Sequence, residues 1–238
     1  MYGGKVKEQY MSVLDIVNLE NFRKVFRNIR KVGLLTTIRY IVSDLLFDLK
    51  YRIDTINTEQ LEDLDIDSPN KQYGVYYEGT NAYIFKKTFS SFKVDAANSC
   101  FVDFGSGKGK AMFMAAERGF RKVIGVEFSR ELVEICRRNL EIFKQKSKSK
   151  TEFEIIHGDA SQYEIPAEAN LLFFSNPFDE TLTTKVIENI LRSYDKTPRE
   201  IWVIHLYPQG NMAFARHPRF QLERESSDGF IFRLKPGA

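Results

Sequence analysis

Cys100-Phe101-Val102-Asp103-Phe104-Gly105-Ser106-Gly107-Lys108-Gly109-Lys110 reads as a buried strand that turns on three alternating glycines into a helix, whose apolar pattern runs from Lys110 to Arg118. Outward from it, short apolar runs recur at Lys122 to Glu127, Phe153 to His157, Leu171 to Ser175 and Ile201 to Leu206. Helical patterns at Ser129 to Lys144 and Leu182 to Ser193 lie between them. Strands that alternate with helices join in parallel through right-handed crossovers, with helices on both faces of the sheet. The runs are apolar on both sides, as a covered sheet requires. At the end, Phe220 and Leu222, then Phe230, Phe232 and Leu234, alternate around Ser227-Asp228-Gly229, where Asp-Gly signals a hairpin. The expectation is a doubly wound, mostly parallel seven-stranded α/β sheet closed by a C-terminal antiparallel hairpin.

Upstream lies a helical extension. From Met11 to about Tyr51 the apolar residues Val25, Phe26, Ile29, Leu34, Ile38, Ile41, Val42, Leu45 and Leu46 recur at three- and four-residue steps, interrupted at Gly33. Arg23, Lys24, Arg27, Arg30, Lys31 and Arg39 form the opposite face. One reading packs the apolar face on the main domain and leaves the basic face in water. The other rests helices 22–50 on an anionic membrane or a protein partner. Ile53 to Lys71 is acidic and polar and reads as a linker, which divides the chain into an extension at 1–71 and a main domain at 72–238. Lys144 to Lys150 reads as a solvated loop.

The 238 residues are 43% hydrophobic and 28% charged, enough to bury a core, so global disorder is excluded. The net charge of +3 is too slight to argue for nucleic acid. Cys100 and Cys136 stand alone in apolar runs, without the His/Cys clustering of a zinc site or a disulfide framework, so neither a metal nor an oxidising compartment is expected. No apolar run is long enough to span a membrane, and Lys5, Lys7 and Glu8 interrupt any leader pattern. A cytoplasmic location is expected.

The glycine turn lies at the carboxyl end of its strand, where open α/β sheets bind ligands. A phosphate loop would need Gly, four residues and Gly-Lys-Ser/Thr, and no such register exists. A dinucleotide fingerprint needs glycine or alanine where Lys110 stands. The pattern present is Asp103, Gly105, Gly107, Gly109. Asp103 would repel a pyrophosphate but suits a ligand bearing an ammonium group.

In this form the turn resembles the first motif of the class I S-adenosylmethionine-dependent methyltransferases, a Rossmann-like family, over residues from about Tyr76 to the hairpin. The resemblance implies S-adenosyl-L-methionine as cofactor, held at Asp103, Gly105, Ser106, Gly107 and Gly109. Glu127, about 20 residues on at the next strand tip, can accept two hydrogen bonds from a ribose diol, with Phe128 against the adenine. In the family, a carboxylate placed as Asp159 is, beside Ala160, accepts from the adenine amino group. Tyr76, Tyr77 and Thr80, before the helix leading into the first strand, are lid or methionine-end candidates. Each also has a plain structural reading: a surface carboxylate for Glu127, a turn for Asp159, core packing for the tyrosines.

Ser175-Asn176-Pro177-Phe178 resembles the Asn/Asp-Pro-Pro-Tyr/Phe motif of amino-group methyltransferases, with one proline instead of two. The resemblance makes Asn176, Pro177 and Phe178 the catalytic candidates: the Asn176 oxygen and a carbonyl held by Pro177 would orient an amine, and Phe178 would cover it. The plain alternative is a turn before a helix. Nitrogen needs only orientation whereas a hydroxyl needs a base, for which Asp179 and Glu180 are candidates. His205 reads as a buried hydrogen-bonding residue, with Tyr207 and Pro208 beside the acceptor pocket. The expected activity is methyl transfer to an amino nitrogen of a small molecule or protein. Its rivals are an oxygen methyltransferase, a non-catalytic adaptor using the basic helices and, more remotely, a dehydrogenase.

Overall fold

The computed structural model describes residues 19–236; the expectations for residues 1–18 lie outside the described residues, as do the side chains of Arg23 and Lys24. The strands are β1 (Cys100–Phe104), β2 (Lys122–Glu127), β3 (Glu152–His157), β4 (Ala169–Ser175), β5 (Trp202–Leu206), β6 (Phe220–Ser226) and β7 (Gly229–Leu234). They form one sheet in the order β3-β2-β1-β4-β5-β7-β6. The β1·β2, β1·β4, β2·β3 and β4·β5 pairs are parallel, and β7 is antiparallel to both β5 and β6. This is a doubly wound, mostly parallel Rossmann-like sheet with the expected closing hairpin. The chain winds outward from β1 to β3, then returns to place β4 on the other side of β1. The reversal opens a crevice at the carboxyl ends of β1 and β4, the place where such sheets take ligands.

The strands hold because alternate residues feed two cores. Phe101, Val123, Leu171, Phe173 and Ile204 point to one face, where α3 (Ala82–Ser91), α4 (Lys110–Glu117) and α5 (Arg130–Lys146) cover them. Val102, Phe104, Ile124, Phe174 and Val203 point to the other, under α6 (Glu180–Lys196) and α7 (Ala213–Arg216). The helices start where the sequence supplies caps: Ser129 Oγ accepts from the Leu132 amide at α5, and Asp179 Oδ1 accepts from the Leu182 amide at α6.

The extension consists of α1 (Leu19–Val32) and α2 (Leu34–Tyr51), broken at Gly33 (φ 85°). Its packing differs from the expected one. The inner face of α2 is Tyr40, Asp44, Phe47, Asp48 and Tyr51. Tyr40 packs against Tyr83 with the rings tilted by 40°, and Asp44 accepts from the Ala82 amide (2.9 Å) and Asn81 Nδ2 (2.6 Å). Phe26, Leu34, Ile38, Ile41, Val42 and Leu46, which the first of the two readings set against the domain, face outward and are exposed. Polar anchors hold the inner face because the Asn81 cap of α3 accepts from the Tyr83 and Ile84 amides and leaves the Ala82 amide to the Asp44 carboxylate.

Residues 53–79 are no free linker. They run as a strap over the carboxyl ends of the strands, with Thr55 fully buried, Leu64 and Asn70 buried, and two isolated antiparallel bridges, Glu59 with Tyr77 and Gly74 with Phe178. Phe47, Tyr51 and Ile53 share a buried cluster with Phe101 and Phe173, so the core continues across residue 71.

Candidate functional site

At the end of β1 the backbone takes positive φ at Gly105 (74°), Gly107 (52°) and Gly109 (90°), a conformation that side chains resist. The Gly105 and Ser106 amides donate to the Val126 carbonyl (2.9 and 3.2 Å), fastening the turn to β2. A Cβ at Gly107 would come within 2.1 Å of the Tyr77 ring, and one at Gly105 within 2.3 Å of Pro177, so the strap and the β4 tip lie directly on the turn.

Two carboxylates face each other beneath it. Asp103, 3% exposed, is pushed up to about 8, first by burial and then by the charge of Glu127. Glu127 is itself raised by burial, against the backbone amides that hold it: Gly107 donates to Oε2 (2.8 Å) and Ser129 to Oε1 (2.9 Å). Beside them Ser106 Oγ is buried with no hydrogen-bond partner. Two acids strained by burial and an orphaned hydroxyl form a cradle suited to a cation with polar groups. These residues fit a sulfonium nucleoside bearing an ammonium group.

The strap supplies what the sequence reading missed. Lys108, 1% exposed, pairs with Glu59 (2.8 Å) and Asp54 (3.5 Å) and lies 5.4 Å from the centre of the Tyr77 ring. Lys110, also buried, pairs with Asp44 of α2 at 2.6 Å. Asn139 of α5 donates to the carbonyls of Asp54 (2.9 Å) and Lys108 (3.1 Å). Both lysines of the turn are thus neutralised by acids from the extension and turned away from any phosphate role. The local signal was two lysines inside a turn that otherwise closes on backbone; their acids lie 49 to 66 residues away, beyond any spacing rule.

The other expected residues lie around this centre. Asp159 accepts from Ser68 Oγ (2.7 Å), Asn70 Nδ2 (2.8 Å), and the Ser161 amide and hydroxyl (2.8 and 2.7 Å). Although burial opposes it, these bonds hold its carboxyl below the usual range. Ala160 is buried under β4, and Phe128 packs on Gly74 of the strap. Tyr77 donates to the Thr55 carbonyl (3.0 Å), Thr80 is buried, and Tyr76 donates to Glu78 (3.2 Å).

At the β4 tip, Asn176 has φ 52° and is half-buried, and its side chain makes no hydrogen bond among the described residues. The Pro177 carbonyl accepts from the Val75 amide (3.2 Å), so it holds the strap. The Phe178 ring is buried in the core, edge-on to Phe174. Asp179 caps α6, and Glu180 pairs with Arg216 (2.6 Å). Burial lowers His205 to about 4; its ring sits edge-on to Phe174 and Phe214 and makes no hydrogen bond among the described residues, where one was expected. A cavity of about 930 Å³ lined by Lys50, Lys86, Arg118, Arg121 and Lys148 lies at the amino ends of β1 and β2, away from the glycine turn.

Residues 101–196 match the family described as methyltransferase domain. No curated protein matches the chain. Among solved structures, one from Escherichia coli assigned as a methyltransferase is 15% identical, with a TM-score of 0.53 over 73% of this chain and 92% of that one. A protein from Haemophilus influenzae assigned as a methylase is 16% identical, with a TM-score of 0.51 over 65% and 98%. An RNA methyltransferase from Salinibacter ruber, solved with S-adenosyl-L-homocysteine, is 18% identical, with a TM-score of 0.48 over 65% and 91%. The matched segment spans β1 to α6, so the domain match, the sheet order and the glycine turn fall on the same part of the chain.

Proposed function

We propose that this chain transfers a methyl group from S-adenosylmethionine to an amino nitrogen. What supports the choice of nitrogen is the β4 tip: Asn176 offers a free amide beside the crevice, while Asp179, Glu180 and Asp159 are committed elsewhere and Asp103 is assigned to the cofactor's cation. A hydroxyl acceptor needs a base within reach of its proton, and Asp179, Glu180 and Asp159 are each held by a cap, an arginine or four hydrogen bonds. An amine that arrives neutral has a lone pair already and needs orientation alone. The Asn176 oxygen would accept from its N–H. Phe178, part of the core, supports that tip from beneath rather than covering the acceptor.

When bound, the cofactor supplies a methyl that is already activated, because its leaving group is a neutral thioether. Asp103 and Glu127 would hold its cationic and ribose ends, and Ser106 Oγ would gain a partner. Tyr77 and Pro177 pack on the turn, and would exclude water from a cofactor held there.

The test separates binding from turnover. In Asn176→Ala the cofactor dissociation constant should stay within about twofold while turnover falls about 10–100-fold, the loss of one oriented hydrogen bond. Label transferred from methyl-labelled cofactor in a cell extract should survive base and be recovered as an N-methyl amine. Recovery as a methyl ester or ether would overturn the nitrogen assignment and leave the cofactor site standing.

A further inference from the structure

Among the described residues, eight of the nine exposed large hydrophobic side chains lie on α1 and α2: Phe26, Leu34, Leu35, Ile38, Ile41, Val42, Leu46 and Leu49. Leu35 and Leu49 are more than 70% exposed, which the sheet domain tolerates nowhere else; the ninth, Leu222, is isolated on β6. At 100° per residue the α2 members fall within an arc of about 140°, and the buried side chains Thr37, Phe47, Asp48 and Tyr51 fall outside it. The stripe is therefore a second face of α2, distinct from the face that packs on the domain. A patch of this size on one helix pair marks an interaction surface.

Its charges say what covers it. From Val25 to Arg52 the only acids are Asp44 and Asp48, and both turn inward, to Lys110 and to Thr55. Arg30 and Lys31 precede the stripe, Arg39 borders it, and all three are exposed. From Val25 to Arg52 the outward surface of the hairpin is thus apolar and cationic, with no exposed acid. Two copies meeting here would bring like charges together without a counter-charge. An anionic bilayer meets both demands, since its headgroups pair with the cations and its acyl boundary takes the leucines. We propose that α1 and α2 seat this protein peripherally on an anionic membrane, with the Leu35–Leu49 stripe in the interface and the strands' carboxyl ends outside it. No helix among the described residues is long and apolar enough to cross a membrane, so the attachment is lateral.

The experiment uses the full chain and vesicles of phosphatidylcholine with or without one-third phosphatidylglycerol. In flotation at low salt the protein should rise with the anionic vesicles at least about tenfold more than with neutral ones, and high salt should weaken the association. Because Cys100 and Cys136 are buried, Leu49→Cys or Leu222→Cys can each carry an environment-sensitive fluorophore at one position. The label at 49 should shift to the blue on anionic vesicles, and the label at 222 should not. Leu35→Glu with Leu49→Glu changes only exposed positions, so it should keep the thermal midpoint and lose vesicle binding about tenfold. Failure of the unmodified chain to float, undiminished binding by the folded double variant, or a shift at 222 without one at 49 would each overturn the proposal. So would a dimer at micromolar concentration that the double variant dissociates.

Discussion

Replacing Asp103 by asparagine removes a proton that the fold forces on the carboxyl, and the size of the effect follows from its surroundings. An ordinary aspartate titrates near 3.8; Asp103 titrates at about 8, because burial penalises the anion and Glu127 repels it. Between those values the folded chain keeps a proton that the unfolded chain has lost, so this group's contribution to stability falls as pH rises from about 4 to about 8, then levels off. From pH 5 to 8 the ceiling is about 4 kcal/mol at roughly 1.4 kcal/mol per unit. Relaxation and water penetration lower such penalties, leaving about 2 kcal/mol. Asp103→Asn has nothing to titrate there. Its thermal midpoint, measured by scanning fluorimetry without ligand, should gain about 4–8 °C on that of the parent between pH 5 and pH 9. A midpoint difference that stays flat, or that shrinks as pH rises, would show that Asp103 ionises normally and that the crevice holds no unbalanced charge.

The Gly107→Ala variant should lose about 1–2 kcal/mol and most cofactor affinity, since its Cβ meets the Tyr77 ring and its φ is positive. In a Tyr77→Ala background the same substitution should cost only the backbone strain, and equal costs in the two backgrounds would deny the contact. Asp44→Ala leaves Lys110 buried without its partner and should destabilise by about 3 kcal/mol in urea unfolding, with only part recovered by adding Lys110→Met, since the Ala82 amide and Asn81 also lose their acceptor. A cost below about 0.5 kcal/mol would mean that the extension is not fastened through this pair. His205→Phe should be neutral or stabilising and leave the pH profile of turnover unchanged above pH 6, since burial already keeps the ring uncharged there. A lost limb of that profile would give His205 a chemical role.

The parallel sheet was legible because its signals are local: Phe101 to Phe104 alternate between two cores, Gly105 follows at once, and Ser129 and Asp228-Gly229 mark a helix start and a hairpin. The extension misled because periodicity reports a face, not its occupant. Ile38 and Val42 share a stripe by spacing, yet Asp44 and Tyr40, which carry no periodic signal, decided which side met the domain. The strap was hidden for a related reason. Glu59, Asn70 and Ser68 look like linker residues until the fold brings them to Lys108 and Asp159, across 49 to 91 positions. Asp103 and Glu127 could be placed at neighbouring strand tips from sequence alone, but their mutual repulsion could not, because it depends on how deeply the fold buries both carboxyls.

Isothermal titration of the purified chain with S-adenosylmethionine reaches the cradle most directly. One site per chain should be filled, with affinity that strengthens as pH rises towards 8, where Asp103 loses its proton to solvent and its carboxylate can pair with the cation, and that falls at least tenfold in Asp103→Asn. Absence of heat and of any thermal shift with both S-adenosylmethionine and S-adenosyl-L-homocysteine, at every pH from 6 to 9, would contradict the assignment of this crevice.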